Sequence, residues 1–428
     1  MNTACPADRV ETPLQFSSLG RRSEAPTIAR VMTMALQTPG LLSLAAGFTD
    51  NGSLPVEAVR VAMAELEKRA GEPEYLQYGS NQGRPALRGL LAEHLIEKEP
   101  DLRDENLAEK LLITNGSQQA LYLAMQVLCD PGDIVLVDRP SYFVFLEMLS
   151  SLGVKARSLP VDMEGRIDGP ALERLLRGLA ERGESQRLKA VYFVSYFCNP
   201  SSRCMTENDK TTIAEVLAAH GLNIPVIEDG AYRELYFREA FCARSVLSLP
   251  AWGAFPKLYL ETLTKPFATG LKVGYGVCSH RPWLEKMLHV KGCHDFGTAN
   301  FNQALFERVL ANGGYAAQIA KIRPLYETKM RCLHDALIAG GLDRLGWRWD
   351  VPAGGLYLWL EAPHALDTAT ESSFCKACIA EGVLYVPGDL CFGDEAPRNF
   401  LRLSFGVLAV DELREAARRF IRVAKRFS

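Results

Sequence analysis

The segment TLTKPFATGLKVGYG, residues 262–276, sets the amine of Lys265 between two hydroxyl residues, Thr262 and Thr264, and a proline, with a second amine, Lys272, further along. A lysine at a strand end is ordinarily solvated. Asp229 closes IPVIED, where a carboxylate is ordinarily a helix cap or a loop acid. Asn199 and Pro200 follow AVYFVSYF, for which a plain turn is an adequate account. Gly116, Ser117 and Gln118 follow KLLIT and open a helix. Unpaired N–H groups and the helix dipole at such a start attract an anion such as phosphate, although a simple Gly-Ser cap explains the residues equally well. Each feature is bland alone. Together they would place an anion cradle, an acid, an amide and an amine at the mouth of one sheet.

That meeting depends on the elements that carry the residues. PVEAVRVAMAELEKRA and GRPALRGLLAEHLIEKE have the spacing of amphipathic helices, and KLLIT is a strand running into the helix GSQQALYLAMQVL. The strands DIVLVD, AVYFVSYF, IPVIED and KLYLETLTK follow, with SYFVFLEMLSSLG and TENDKTTIAEVLAAHG as helices between them. Near-continuous apolar strands alternating with helices imply an α/β domain with a mostly parallel sheet covered on both faces. Ligands of such sheets sit at the carboxyl ends of the strands. Beyond about residue 310 a long helix, IAKIRPLYETKMRCLHDALIAGG, leads into the strand-rich GWRWDVPAGGLYLWLEAP, GVLYVPGDLCF and FLRLSFG, an α+β lobe. The expected division is a leader at 1–54 that joins the small domain, a large domain at 55–310 and a small C-terminal domain at 311–428. Within the leader, TIARVMTMAL reads as a short helix and PGLLSLAAGF as an extended segment.

The quoted segments resemble the pyridoxal-phosphate aminotransferases of fold type I, class I/II, and within them the 2-aminoadipate and kynurenine aminotransferase-like subgroup. The resemblance spans nearly the whole chain. It runs through LLSLAAGF, QYGSNQGRPALR, ITNGSQQALYLAMQVL, DRPSYFVF, NPSS, VIEDGAYRELYF, TLTKPFATGLKVGYG, PAGGLYLWL, VLYVPGDLCF and LRLSFG in the family's order. It implies a mostly parallel seven-stranded sheet flanked by helices, pyridoxal 5'-phosphate as cofactor, and transfer of an amino group between an L-amino acid and a 2-oxo acid.

The resemblance also assigns roles. Lys265 would form the Schiff base with the cofactor aldehyde and then shuttle a proton. Asp229 would keep the pyridine nitrogen protonated. Asn199 and Tyr232 would donate to the ring oxygen, and Tyr142 would stack on the ring. Gly116, Ser117, Gln118, Thr262, Thr264 and Lys272 would hold the phosphate, joined by Tyr78 from the neighbouring subunit, which implies a homodimer with shared sites. Arg402 would grip the substrate α-carboxylate, a planar bidentate contact that lysine does not reproduce, with Gly47 and Asn199 beside it. Arg30 roughly aligns with a leader arginine that reads a distal carboxylate, although a solvated helix face explains it as well.

Several residues depart from the family pattern. Glu261 stands where a glycine is usual and Lys272 where an arginine is usual, so Glu261 would either repel the phosphate or pair with Lys272. NPSS replaces NPTG and puts Ser202 where glycine would permit positive φ, so the turn could change shape. Cys198 stands where a glutamine is frequent, and Ala46 replaces a glycine. Such drift leaves a second reading open: a lyase or carbon-bond-forming enzyme of specialised metabolism on the same fold.

Composition removes other classes. With 428 residues, 48% of them hydrophobic and 23% charged, the chain is globular and larger than one ordinary core. Net charge is -3 with no long basic run, so nucleic acid is not an expected partner. The acidic leader argues against a secretory peptide, and no apolar run is long enough to cross a bilayer, so the expectation is a cytoplasmic protein without a membrane partner. The 11 cysteines are odd in number and scattered, and the lone CxxC of Cys375 and Cys378 lacks a second ligand pair, so neither a disulfide framework nor a metal site is expected. A third reading, the sensor domain of a transcription regulator, would need an N-terminal DNA-binding domain for which the short leader leaves no room.

Overall fold

Short strands of four to seven residues form the centre of the molecule. The structure is a computed structural model and describes residues 15–25, 27, 33, 39–68, 71 and 73–428. Most of the helix read at TIARVMTMAL, Arg30 included, lies outside the described residues. The leader strand β1 (Leu42–Ser43) comes first; β2 (Leu111–Thr114), β3 (Ile134–Val137), β4 (Lys155–Ser158), β5 (Leu188–Val194), β6 (Val226–Asp229), β7 (Lys257–Thr262) and β8 (Gly274–Cys278) follow. β2, β3, β6 and β8 are buried at every position, the mark of strands covered on both faces.

Strands β2 to β8 form one seven-stranded sheet in the order β2-β8-β7-β6-β5-β3-β4. Pairing is parallel from β4 through β7, while β8 runs antiparallel to both β7 and β2. Two antiparallel steps restore the direction, so β2 points the same way as β3 to β7. The carboxyl ends of β2, β5, β6 and β7 therefore open on one edge, and Gly274, the first residue of β8, pairs there with both Thr114 and Thr262.

The C-terminal lobe begins with the helix Gly314–Ala339 and carries a second, antiparallel sheet. Its strands are β9 (Arg348–Trp349), β10 (Tyr357–Glu361), β12 (Val386–Pro387) and β13 (Phe400–Ser404), in the order β12-β13-β10-β9. The leader joins this lobe, because β1 pairs in parallel with β11 (Val383–Leu384). Past that pair the chain continues through Leu44, whose carbonyl accepts from the Ser404 amide at 2.6 Å. That contact brings Ala45 and Gly47 beside the lobe sheet and toward the edge of the large one. Among the described residues no helix is long and apolar enough to cross a membrane.

Candidate active site

A cleft of about 150 Å³ opens at this edge. β2 ends at Thr114, and the helix Gly116–Leu128 begins two residues later with no side-chain cap from Asn115, which leaves first-turn N–H groups free to meet an anion. Gly116 has φ of 72°, which only glycine adopts without strain. At Gly274 space is the constraint, since a Cβ there would lie 2.7 Å from the Gly116 carbonyl carbon and the Ser117 nitrogen. Two glycines thus let β8 and the helix start close into a cup. Ser117, Gln118, Thr262, Thr264 and Lys272 line it, and the Thr264 hydroxyl is buried without a partner among the described residues. A cradle of free N–H groups with an orphaned hydroxyl and a lysine fits a phosphate.

β6 delivers Asp229 to the floor of the same cleft. Its Oδ1 accepts from the Ala231 amide at 2.9 Å and its Oδ2 from the Tyr192 hydroxyl at 3.3 Å. Burial, assisted by the negative charges of Glu261 and Glu228, raises its carboxyl from 3.8 to about 6. A cation placed against it would restore full ionisation, as a protonated ring nitrogen does.

Lys265 lies just beyond β7 and lines the cleft with Asn199, Tyr142 and Tyr232. Its Nζ donates to the Gly47 carbonyl at 2.5 Å. Burial lowers its pKa, and Arg402 and Lys272 push the same way while Tyr357 opposes them. The neutral amine, the form able to attack a carbonyl, is thereby favoured. Arg402 sits on β13, 1% exposed, and donates from Nη1 to Asn199 Oδ1 and from Nη2 to the Ala45 carbonyl, both at 2.6 Å. Its Nε has no partner among the described residues. The guanidinium lies over the Tyr357 ring at 4.1 Å and the Phe143 ring at 5.4 Å, and it retains donors for a carboxylate.

The structure thus brings together Gly116, Ser117, Gln118, Tyr142, Asn199, Asp229, Tyr232, Thr262, Thr264, Lys265 and Lys272 around one cleft, with Gly47 and Arg402 bonded to its lining residues. Tyr78 stands apart. It is 78% exposed, with its ring edge to face against Phe296 at a centroid distance of 5.5 Å. Glu261 corrects the expectation from sequence: it does not pair with Lys272. Its carboxylate is bound by Lys98 at 2.5 Å and by the Tyr259 and Tyr275 hydroxyls at 2.5 and 2.6 Å, because strand alternation turns it away from its neighbour Thr262. At the NPSS turn Ser202 itself takes the positive φ that glycine would permit, 54°, and its hydroxyl donates to the Tyr357 carbonyl at 2.8 Å, which offsets part of the strain. Tyr192, Ala45 and Tyr357 were not singled out from sequence. Alternation along YFV and LYL marks which residues share a face, but it does not say that those faces meet Asp229 and Arg402.

The family description "Aminotransferase class I and II" matches residues 39–420, which takes in every element of the cleft. The chain belongs to the class I and II aminotransferases. This aminotransferase is 31% identical to 2-aminoadipate transaminase of Thermus thermophilus, over 96% of each chain. In structure it is similar to LysN, the alpha-aminoadipate aminotransferase of Thermus thermophilus complexed with N-(5'-phosphopyridoxyl)-L-leucine, with a TM-score of 0.78 and 30% identity over 96% of this chain and 97% of that one. It is also similar to Pyrococcus horikoshii kynurenine aminotransferase in complex with PMP, at a TM-score of 0.84 and 27% identity, covering 96% of this chain and 97% of that one. The fold is that of the type I aminotransferases, and the chain is a pyridoxal phosphate-dependent enzyme that transfers amino groups. The lyase alternative is not favoured.

Proposed function

We propose that the cleft carries out transamination between an L-amino acid and a 2-oxo acid, with Lys265 as the residue that bears the cofactor. The observation that carries this reading is one edge holding a depressed lysine amine, a raised aspartate and a phosphate-fitting helix start. Pyridoxal phosphate, when bound, supplies an aldehyde that condenses with amines and a ring that takes up the electrons of a breaking bond. Lys265 would hold the aldehyde and, with its amine free, would move a proton to and from the substrate α-carbon. Asp229 would hold a proton on the ring nitrogen, and Asn199 and Tyr232 would hold the ring oxygen. Tyr142 covers the ring face.

Gly116, Ser117, Gln118, Thr262, Thr264 and Lys272 hold the phosphate. Arg402 orients the substrate by its α-carboxylate, beside Gly47. The likeness to 2-aminoadipate transaminase supports an acidic amino acid as one partner, with Arg30 as the candidate reader of its distal carboxylate. A homodimer completes the site in this reading. Support comes from the exposed apolar residues Leu76, Tyr78, Phe296 and Phe301, where the Tyr78 ring meets Phe296 and the Phe301 ring meets Tyr75, a surface that a second subunit would cover. Domains at 1–54, 55–310 and 311–428, and a cytoplasmic location, complete the proposal.

The experiment is a half-reaction followed by absorbance. Glutamate or 2-aminoadipate added to the holoenzyme should bleach the cofactor band, and a 2-oxo acid should restore it. Lys265→Ala should bind cofactor without covalent attachment, with no borohydride-fixed adduct and turnover lower by at least about 10³-fold. Release of ammonia without recovery of the band, or an adduct on another lysine, would overturn the assignment.

A further inference from the structure

Tyr357 is 1% exposed at the start of β10, and it lies outside the lining of the cleft. Its hydroxyl lies 3.0 Å from the Tyr232 hydroxyl, with the two rings edge to face at a centroid distance of 5.9 Å. Among the described residues, each hydroxyl is the other's hydrogen-bond partner. A phenol carries one hydrogen, so one of the pair donates to its partner and the other hydrogen points elsewhere.

Burial decides the direction. Tyr232 lines the cleft, where a ligand oxygen can accept its hydrogen; the Tyr357 hydroxyl instead faces Gly47, on which a Cβ would sit 3.0 Å away. If Tyr232 donated to Tyr357, the Tyr357 hydrogen would be buried without an acceptor, a cost that the opposite arrangement avoids. The Arg402 guanidinium at 4.1 Å from the ring centroid adds positive charge that sharpens Tyr357 as a donor.

We propose that Tyr357 is a positioning residue: it donates its hydroxyl hydrogen to Tyr232, so that the Tyr232 hydrogen is turned into the cleft toward the cofactor ring oxygen, while its ring supports the Arg402 guanidinium. The proposal rests on the cleft being the pyridoxal phosphate site. A phenol that accepts a hydrogen bond becomes a stronger donor itself. Tyr357 therefore strengthens the hold of Tyr232 on the ring oxygen and links it physically to the carboxylate grip. The Ser202 hydroxyl, bonded to the Tyr357 carbonyl, holds the start of the strand that presents it.

The test is an absorbance titration of the lysine-bound cofactor against pH in the holoenzyme, with Tyr232→Phe and Tyr357→Phe. A lost donor leaves more negative charge on the ring oxygen and tightens the proton on the neighbouring nitrogen, so both midpoints should rise. For Tyr357→Phe the expected change is about threefold or more in proton affinity, smaller than for Tyr232→Phe. A wild-type midpoint in Tyr357→Phe beside a raised one in Tyr232→Phe overturns the proposal alone; an unmoved midpoint in Tyr232→Phe overturns the reading of the site as well. If Tyr357→Phe does not take up cofactor, 3-fluorotyrosine introduced at position 357 keeps a more acidic hydroxyl and should lower the midpoint, and an unmoved or raised value counts against us. The ring's part is read by affinity for a substrate-like carboxylate, retained in Tyr357→Phe and weakened about tenfold in Tyr357→Leu. Equal affinities would remove that part.

Discussion

Two clusters of buried polar side chains grow from the same two strands and differ in how completely they are satisfied. Glu228 and Asp229 are neighbours on β6, as are Glu261 and Thr262 on β7, and alternation sends each pair to opposite faces. On one face Glu228 pairs with Lys210 at 2.6 Å, Glu261 with Lys98 at 2.5 Å and Arg233 with Glu99 at 3.0 Å, while the Glu234 carboxylate takes bonds from Tyr315 and the His94 ring. Each ion there has a counter-ion or a ring of donors. On the other face the Thr264 hydroxyl and Arg402 Nε have no partner among the described residues, and Lys265 has a single carbonyl. Buried polar groups are ordinarily paired. The face that leaves them waiting is the one prepared for a ligand, and the saturated face behind it keeps the floor rigid.

The contrast would break most visibly in stability. Glu261→Ala leaves the half-buried Lys98 without its ion-pair partner and two buried tyrosine hydroxyls without an acceptor, and should cost about 3 kcal/mol in urea denaturation. The Lys265→Ala change on the open face should cost far less, and a similar loss in both variants would end the distinction. Next in size, Arg402→Lys keeps the charge but loses the fork, so KM for the amino acid should rise about 10- to 100-fold with a smaller change in kcat. Lys272→Ala sharpens the reading of the cup: because lysine acts there as a point charge at the rim, cofactor dissociation should be faster by roughly tenfold, measured by loss of absorbance on dilution. Unchanged retention would mean that the helix start alone carries the phosphate.

A last effect concerns pH. Burial raises the Asp138 carboxyl from 3.8 to about 7, and Asp229 to about 6. Between about 4 and 7 the folded cofactor-free chain therefore holds protons that the unfolded chain has released, so its stability falls as pH rises through that window. Glu234, held down at about 2, contributes in the opposite sense but only below about 4.5. Asp138→Asn removes one of the two titrations and should flatten the decline in thermal stability between pH 5 and pH 8, by roughly 1–3 kcal/mol. An unaltered slope would show that Asp138 is ionised throughout.

Much of this was readable from the sequence because the chemistry sits at strand ends. The runs LLIT, VYFV and VIED announce buried strands, and each ends at or next to a cleft residue, Asn115, Val194 and Asp229, once the strands are parallel. Less readable was β8, whose reversed direction keeps β2 in line with its neighbours and lets Gly116 meet Thr262. Glu261 misled for a simple reason: adjacency to Thr262 suggested a shared site, whereas a strand separates consecutive side chains by its own period. Tyr357 lay within a quoted segment and went unassigned because its partners come from distant positions, Tyr232, Gly47 and Arg402.

The sequence alone determined the residue types, the alternation of strands and helices, and the family to which they belong. Those depend on local pattern and on the order of motifs. Tertiary structure alone decided which carboxylates are paired and which wait, which hydroxyl gives its hydrogen to which, and how the leader carries the Gly47 carbonyl to Lys265. Hydrogen bonds act over about 3 Å between residues hundreds of positions apart, and only the packed chain sets such distances.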